Sequence, residues 1–335
     1  MNLFIFGSTG DLVKRKVLPA LSELDIKKLN IFAIGRREFV DEIYIDFACD
    51  EDCKIKDQIH YFKTSFESGD ICEECKKNLE KDKVNYFYVS LPPNLLMIIF
   101  RKIKKIKELG FDVRILVEKP FGNSLKEAKK LYKMIKEFKL EDNTFLNDHY
   151  LFKQETIGIK KQDFKKLKII ILEKLGLENR ISYYDESGAL IDMVQSHLFN
   201  LLFKFLTEKE IKNIKIISYE KKQYEGYIKE LGKRSSTETF VRVKLKTGGK
   251  KIELITGKKF SKKISKIIID GIEKDFEDRN PYACIFSSFF KNQNENFPSI
   301  KSAITSWGII ESIKSKKIRL ETYPQGTDIN AVIMD

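Results

Sequence analysis

Cysteine is scarce. The chain has five cysteines in 335 residues, an odd number that argues against a disulfide framework. Four of them, Cys49, Cys53, Cys72 and Cys75, do make a C-x3-C…C-x2-C pattern that invites a zinc reading. Both pairs lie at i,i+4 or i,i+3 in stretches that look helical, where cysteine behaves as a small hydrophobe, so no metal is expected. No apolar run approaches the ~20 residues needed to span a bilayer. Nor does a secretory leader open the chain, since a strand begins at about residue 2. Internal repeats, low-complexity linkers and long charge blocks are also missing. The expectation is a soluble, cytoplasmic protein whose domains pack together.

What is present is ample material for two domains: 42% of residues are hydrophobic. The formal charge is +13, from 62 basic and 49 acidic residues, a balance that favours anionic partners. The bases are spread along the whole chain and read mainly as a solvated surface. No aromatic-plus-basic cluster accompanies them, which argues against nucleic acid.

The first ~150 residues alternate short apolar strands with longer polar helical stretches, as βαβ units do. Candidate strands are Asn2–Phe6, Ile31–Ile34, Ile59–Lys63, Asn85–Val89, Val113–Val117 and Asn143–Leu146, with helices such as Asp11–Leu24, Asn94–Leu109 and Ser124–Phe138 between them. Such a pattern predicts a doubly wound parallel sheet with ligands at the carboxyl ends of its strands. Later residues read differently. A strand at Lys168–Leu172 and an amphipathic helix at Ser187–Leu206 precede β-rich segments that include Thr237–Leu245, Lys251–Thr256 and Lys266–Asp270. The fold class expected is α/β: a Rossmann-type domain over 1–147, then an α+β domain over 148–335 with a mainly antiparallel sheet.

Gly7-Ser8-Thr9-Gly10 follows the first strand and opens a helix. That is where a glycine turn lets the backbone approach a pyrophosphate and aims helix N–H groups at it. At the end of the second strand stand Arg36 and Arg37 rather than the carboxylate that commonly meets an NAD ribose. Together, loop and arginines favour NADP.

Five stretches specify more: GSTGDLVKRKVLPAL from Gly7, VEKPFG at 117–122, DHYLFK at 148–153, YYDESGALIDMVQSHL at 183–198 and GKKFSKK at 257–263. They occur in the order seen in glucose-6-phosphate dehydrogenases, and the chain resembles a shortened member of that family from about residue 2 to 325. The resemblance implies oxidation of D-glucose 6-phosphate at C1 to 6-phospho-D-glucono-1,5-lactone with NADP, the first step of the oxidative pentose phosphate pathway. Alternatives are a related oxidoreductase for another sugar, or a non-catalytic relative that senses the cofactor. Removing a hemiacetal proton while hydride leaves suits a neutral imidazole, and a carboxylate can hold its tautomer. By resemblance His197 is that base and Asp148 its acidic partner. His149, Tyr150 and Lys153 bind the sugar phosphate, with His149 and Lys153 sharing a face at i,i+4 if the segment is helical.

The resemblance also assigns Glu173 and Asp192 to sugar hydroxyls, and Lys16, Lys258 and Lys263 to the substrate. Lys119 reaches between sugar and cofactor, and Pro120 follows a cis bond. Gly7, Ser8, Thr9, Gly10, Asp11, Leu12, Lys14, Arg36, Arg37 and Lys119 are the cofactor positions, with Asp11 serving the helix start and Arg15 facing solvent. The chain departs from the family at Leu146-Asn147, Phe152, Gln154, Ile191 and Ser196. Its shortened second-domain sheet weakens the expected homodimer.

Overall fold

Asn2–Phe6 is apolar after its first residue and buried at every position, the pattern of a strand covered on both faces. It is β1, the centre of a six-stranded, wholly parallel sheet. The other strands are β2 (Asn30–Gly35), β3 (Ile59–Lys63), β4 (Asn85–Val89), β5 (Val113–Val117) and β6 (Thr144–Leu146), in the order β3-β2-β1-β4-β5-β6. Order reverses between β1 and β4, the switch point where such sheets take ligands. Phe4 stacks on Phe32 and Phe87 from the flanking strands. The structure, a computed structural model, describes residues 1–24, 26–67, 73–177, 181–276 and 280–333.

The chain divides into two compact units, Met1–Phe152 with Arg279–Ile300 and Lys153–Asp278 with Lys301–Asp335. Its return to the first unit differs from the boundary placed at 147/148. The helix Tyr282–Phe290 is the reason. Phe289 and Phe290 pack edge-on against Tyr86, and Phe286 lies tilted against Tyr88, so its aromatic face completes the first core.

In the second unit the strands are β7 (Lys166–Leu172), β8 (Lys215–Tyr224), β9 (Phe240–Thr247), β10 (Lys250–Gly257), β11 (Ile264–Ile269), β12 (Ile272–Asp275) and β13 (Glu321–Tyr323), in the order β12-β11-β7-β10-β9-β8-β13. Pairing is mainly antiparallel, but β7 runs parallel to β10 and β8 to β13. Gly248-Gly249, both at positive φ, form the two-residue hairpin between β9 and β10.

The helix expected from Ser187 begins earlier, at Ile181, and breaks at Gly188, whose φ of 65° and ψ of 176° are not helical. Beyond the break run a π-helical segment, Leu190–Leu198, and the α-helix Phe199–Phe205. No helix among the described residues is long and apolar enough to cross a membrane.

Candidate active site

In the first unit the glycine loop is fixed from beneath. The amides of Gly7 and Ser8 both donate to Ile34 O, at 3.0 and 3.1 Å, and Gly10 N donates to Gly7 O at 3.0 Å. Gly7 has φ +84°, and a Cβ there would lie 2.2 Å from Ser90 O, so only glycine fits. Tyr44, from the helix Asp41–Ala48, donates its hydroxyl to Ser8 O at 3.0 Å. The Ser8 hydroxyl itself is buried without a hydrogen-bond partner. Thr9 is half-buried against Gly35, and Leu12 opens a π-helical segment, Val13–Val17.

Charge gathers beside this loop. Arg36 and Arg37 are exposed at the end of β2, and Tyr61 holds the Arg37 carbonyl at 2.6 Å. Lys14 and Arg37 both lie over the ring of Phe47, 5.0 and 5.6 Å from its centre. Glu38, the one acid within this turn, pairs with Lys63 at 2.9 Å, and that lysine lowers its pKa. The acid that would favour an unphosphorylated ribose is thus occupied. Asp11 pairs with Arg15 across 3.4 Å at the surface, so Arg15 is exposed but engaged. Lys16 is exposed on the π-helical segment, and its carbonyl accepts from Asn280.

At the end of β5, Glu118 is 8% exposed and accepts from three donors: Tyr88 at 2.6 Å, Tyr282 at 3.0 Å and Asn147. Burial and the Glu118 charge raise both tyrosine pKa values, which keeps the phenols as donors. This carboxylate, with all three donors on its Oε1, directly precedes half-buried Lys119 and Pro120, whose peptide is cis as the resemblance implies.

Asp148 is 1% exposed just beyond β6, and its carboxylate accepts from Tyr150 N at 3.0 Å. The tight 3-10 turn His149–Phe152 follows, with the His149 and Tyr150 rings 4.7 Å apart. Lys153 then turns to extended backbone (φ −72°, ψ 147°) and caps the next helix. The i,i+4 helical relation expected of His149 and Lys153 is therefore corrected: the helical run breaks between them. Phe152, standing where the family has glycine, is buried against Phe297 at 4.6 Å, so this departure fills a core.

In the second unit, parallel pairing sets Leu172 beside Gly257, and the next residue of each strand carries a functional candidate. Glu173 and Lys258 meet there at 2.7 Å, with Lys258 only 2% exposed. The Lys258 ammonium lies 5.4 Å from the centre of the Tyr184 ring. Tyr184 is 3% exposed and its hydroxyl has no hydrogen-bond partner. Burial raises its pKa, then the charges of Asp192, Glu238 and Glu173. Lys263 is exposed before β11.

His197 is fully buried and Asp192 half-buried on the segment Leu190–Leu198. Glu238 starts this segment: its carboxylate accepts from Leu190 N, and its carbonyl from Ala189 N, each at 3.0 Å. Ser196, another departure, donates to Ile191 O at 3.0 Å, and Gln195 to Ser306 at 3.1 Å. Sequence reasoning missed Tyr44, Tyr61, Glu118, Tyr184 and Glu238. Only Glu118, inside the EKP triplet, carried a local signal.

The cysteines also need correction. The helix expected to carry Cys49 and Cys53 ends at Ala48, with Cys49 already extended and Cys53 in a turn closed by its amide on Asp50 O. Cys75 is disulfide-bonded, against the reduced state expected from an odd count. Cys72 lies outside the described residues.

A family profile described as "Glucose-6-phosphate dehydrogenase, NAD binding domain" matches residues 4–157, and "Glucose-6-phosphate dehydrogenase, C-terminal domain" matches 157–215. Glucose-6-phosphate 1-dehydrogenase of Buchnera aphidicola from Schizaphis graminum is 30% identical over 88% of this chain and 74% of its own length. Among solved structures, glucose-6-phosphate 1-dehydrogenase of Mycobacterium avium aligns with a TM-score of 0.83 at 20% identity, over 97% of this chain and 94% of that one. A glucose-6-phosphate dehydrogenase in complex with glucose 6-phosphate aligns at 0.81 and 20% identity, over 98% and 94%.

Proposed function

The chain belongs to the glucose-6-phosphate dehydrogenase family, and from that premise we propose that it oxidises D-glucose 6-phosphate at C1 to 6-phospho-D-glucono-1,5-lactone with NADP. This is the entry step of the oxidative pentose phosphate pathway, carried out in the cytoplasm. NADP, when bound, accepts the hydride from C1. The loop fits such a cofactor: its buried Ser8 hydroxyl lacks a protein partner, and two arginines stand beside an acid paired with Lys63 at the surface. Gly7 to Leu12 and Lys14 would hold the pyrophosphate side, and Arg36 and Arg37 the 2′-phosphate.

His197 takes the C1 hydroxyl proton, and Asp148 steadies the imidazolium that forms. His149, Tyr150 and Lys153 bind the phosphate dianion through charge-assisted hydrogen bonds. Glu173 and Asp192 accept from ring hydroxyls. Lys16, Lys258 and Lys263 supply positive charge around the sugar phosphate, while Lys119 positions sugar and cofactor. The 1–147 and 148–335 segments act as cofactor and substrate domains. The shortened second sheet weakens the homodimer that the family would form through it.

The observation that carries the reading is a fully buried imidazole five residues after a half-buried carboxylate on one π-helical segment. The test follows absorbance at 340 nm with both cofactors and several hexose phosphates. Glucose 6-phosphate should reduce NADP faster than NAD, and His197→Asn should remove most of that turnover. Tight NADP binding with no turnover on any hexose phosphate would leave a cofactor sensor instead.

A further inference from the structure

The cysteine pair outside the active site stands in an arrangement suited to thiol chemistry. Cys49 Sγ and Cys53 Sγ lie 3.0 Å apart and share a hydrogen bond. Both residues are half-buried and free, and they border a cavity of about 290 Å³ with Leu18, Pro19, Ser22 and Asp52. Backbone bonds hold the geometry from both sides. Cys49 N donates to Ile45 O at 2.8 Å, ending the helix, and Cys53 N donates to Asp50 O at 3.1 Å, closing the turn. The next residue, Lys54, donates its amide to Ser22 Oγ at 2.8 Å and ties the turn to the helix Leu18–Glu23.

We propose that Cys49 and Cys53 form a reactive dithiol site that takes small-molecule disulfides and is converted by them to an intramolecular disulfide. The two sulfurs divide the labour. The hydrogen bond with Cys49, then the Ile55 amide and the Lys56 charge, lower the Cys53 thiol to about 6, while the same hydrogen bond and burial push Cys49 up. Cys53 is therefore largely thiolate at neutral pH and is the attacking sulfur; Cys49 keeps its proton and is the resolving one. In the first step the Cys53 thiolate attacks one sulfur of the incoming disulfide, whose S–S bond breaks and releases one thiolate. That thiolate takes the proton of Cys49. Cys49 sulfur then attacks Cys53 sulfur in the mixed disulfide, and the second small thiolate leaves, to be protonated by solvent. The protein pair loses two electrons and the small disulfide gains two.

The experiment uses the full chain and oxidised glutathione at neutral pH, read by intact mass and by peptide mapping without reductant. The expected result is loss of two hydrogens from the peptide that holds both cysteines, with no glutathione retained there. Cys49→Ser should instead keep one glutathione on Cys53, because the resolving sulfur is gone. In the untreated protein, iodoacetamide at mildly acidic pH should label Cys53 about tenfold faster than an unstructured cysteine peptide, the balance of greater thiolate fraction and lower nucleophilicity. Cys284, exposed and free, reports the oxidant's activity in the same digest. If Cys284 takes up glutathione while both members of the pair stay reduced, or if the wild-type pair holds glutathione without resolving it, the proposal is wrong.

Discussion

Replacing Gly188 with alanine tests whether the start of the segment bearing Asp192 and His197 is set by one glycine. Gly188 sits at φ 65° and ψ 176°, a region essentially reserved for glycine. A Cβ there would lie 2.5 Å from Glu238 Oε1, the oxygen that accepts from Leu190 N. Two costs follow: backbone strain of about 1–3 kcal/mol, and displacement of a capping carboxylate worth about 1 kcal/mol. Gly188→Ala should therefore lose roughly 2–4 kcal/mol, a large share of the roughly 5–15 kcal/mol that holds a domain folded. Urea unfolding measures this loss. Activity should suffer as well, because Leu190 is the first residue of the segment and a shift of about 1 Å at a reacting group costs on the order of a hundredfold. With glucose 6-phosphate and NADP, kcat/KM should fall by more than about tenfold in protein that is still folded. A Gly188→Ala enzyme within about 0.5 kcal/mol of wild type and of unchanged kcat/KM would refute the reasoning.

Arg37→Ala should raise the NADP KM about 10- to 100-fold, the worth of one charge-assisted contact, and leave the NAD KM alone; equal effects on both would remove the 2′-phosphate role. Tyr184→Phe deletes a buried hydroxyl that has no partner, so thermal unfolding should show the same or a higher Tm; a clear drop would mean the hydroxyl is bonded in solution. Glu210 is held at a pKa of about 2 by Lys250 and the Thr207 amide, against an ordinary 4.5. A lowered carboxylate pKa stabilises the fold above the unfolded value, and that contribution is lost as pH falls from about 4.5 towards about 2. Glu210→Gln should thus be less stable than wild type at pH 7, with the gap closing through that window; a gap independent of pH would assign it to the Thr207 cap alone.

The first sheet was legible because it is parallel and its centre is covered on both faces, so its central strands are short apolar runs. β1, β3, β4 and β5 carry the very bounds that alternation predicts. The second sheet was less so. β8 (KIISYEKKQY) has few fully buried positions and reads as a polar stretch, since its pairing with β9 rather than its composition makes it a strand. The return of Tyr282–Phe290 to the first unit has no local signature, because an aromatic helix reads the same whichever core it fills. Among the candidate site residues, those within contiguous motifs stand out in the sequence. Tyr44, Tyr61 and Glu238 act through backbone atoms or across long sequence separations, where identity says little about position.

Helical periodicity misleads most where the chemistry is densest. Read as an α-helix, Asp192 and His197 are five residues apart and so about 140° out of register, which would turn one of them away from any ligand the other meets. His197 would then join Val194 and Leu201 as ordinary core. The segment is π-helical throughout Leu190–Leu198, and bonding from i to i+5 stacks residues five apart on one side. The same local winding occurs over Val13–Val17, around Lys16. Such segments are rare and occur mostly as short bulges within α-helices. The second segment is tied at several points: Glu238 fixes its first residue, Ser196 bonds back to the Ile191 carbonyl, and Gln195 is tied to Ser306. A carboxylate and an imidazole that α-periodicity would separate are thus drawn towards one side, and the catalytic role proposed for the fully buried His197 depends on this winding as well as on residue identity.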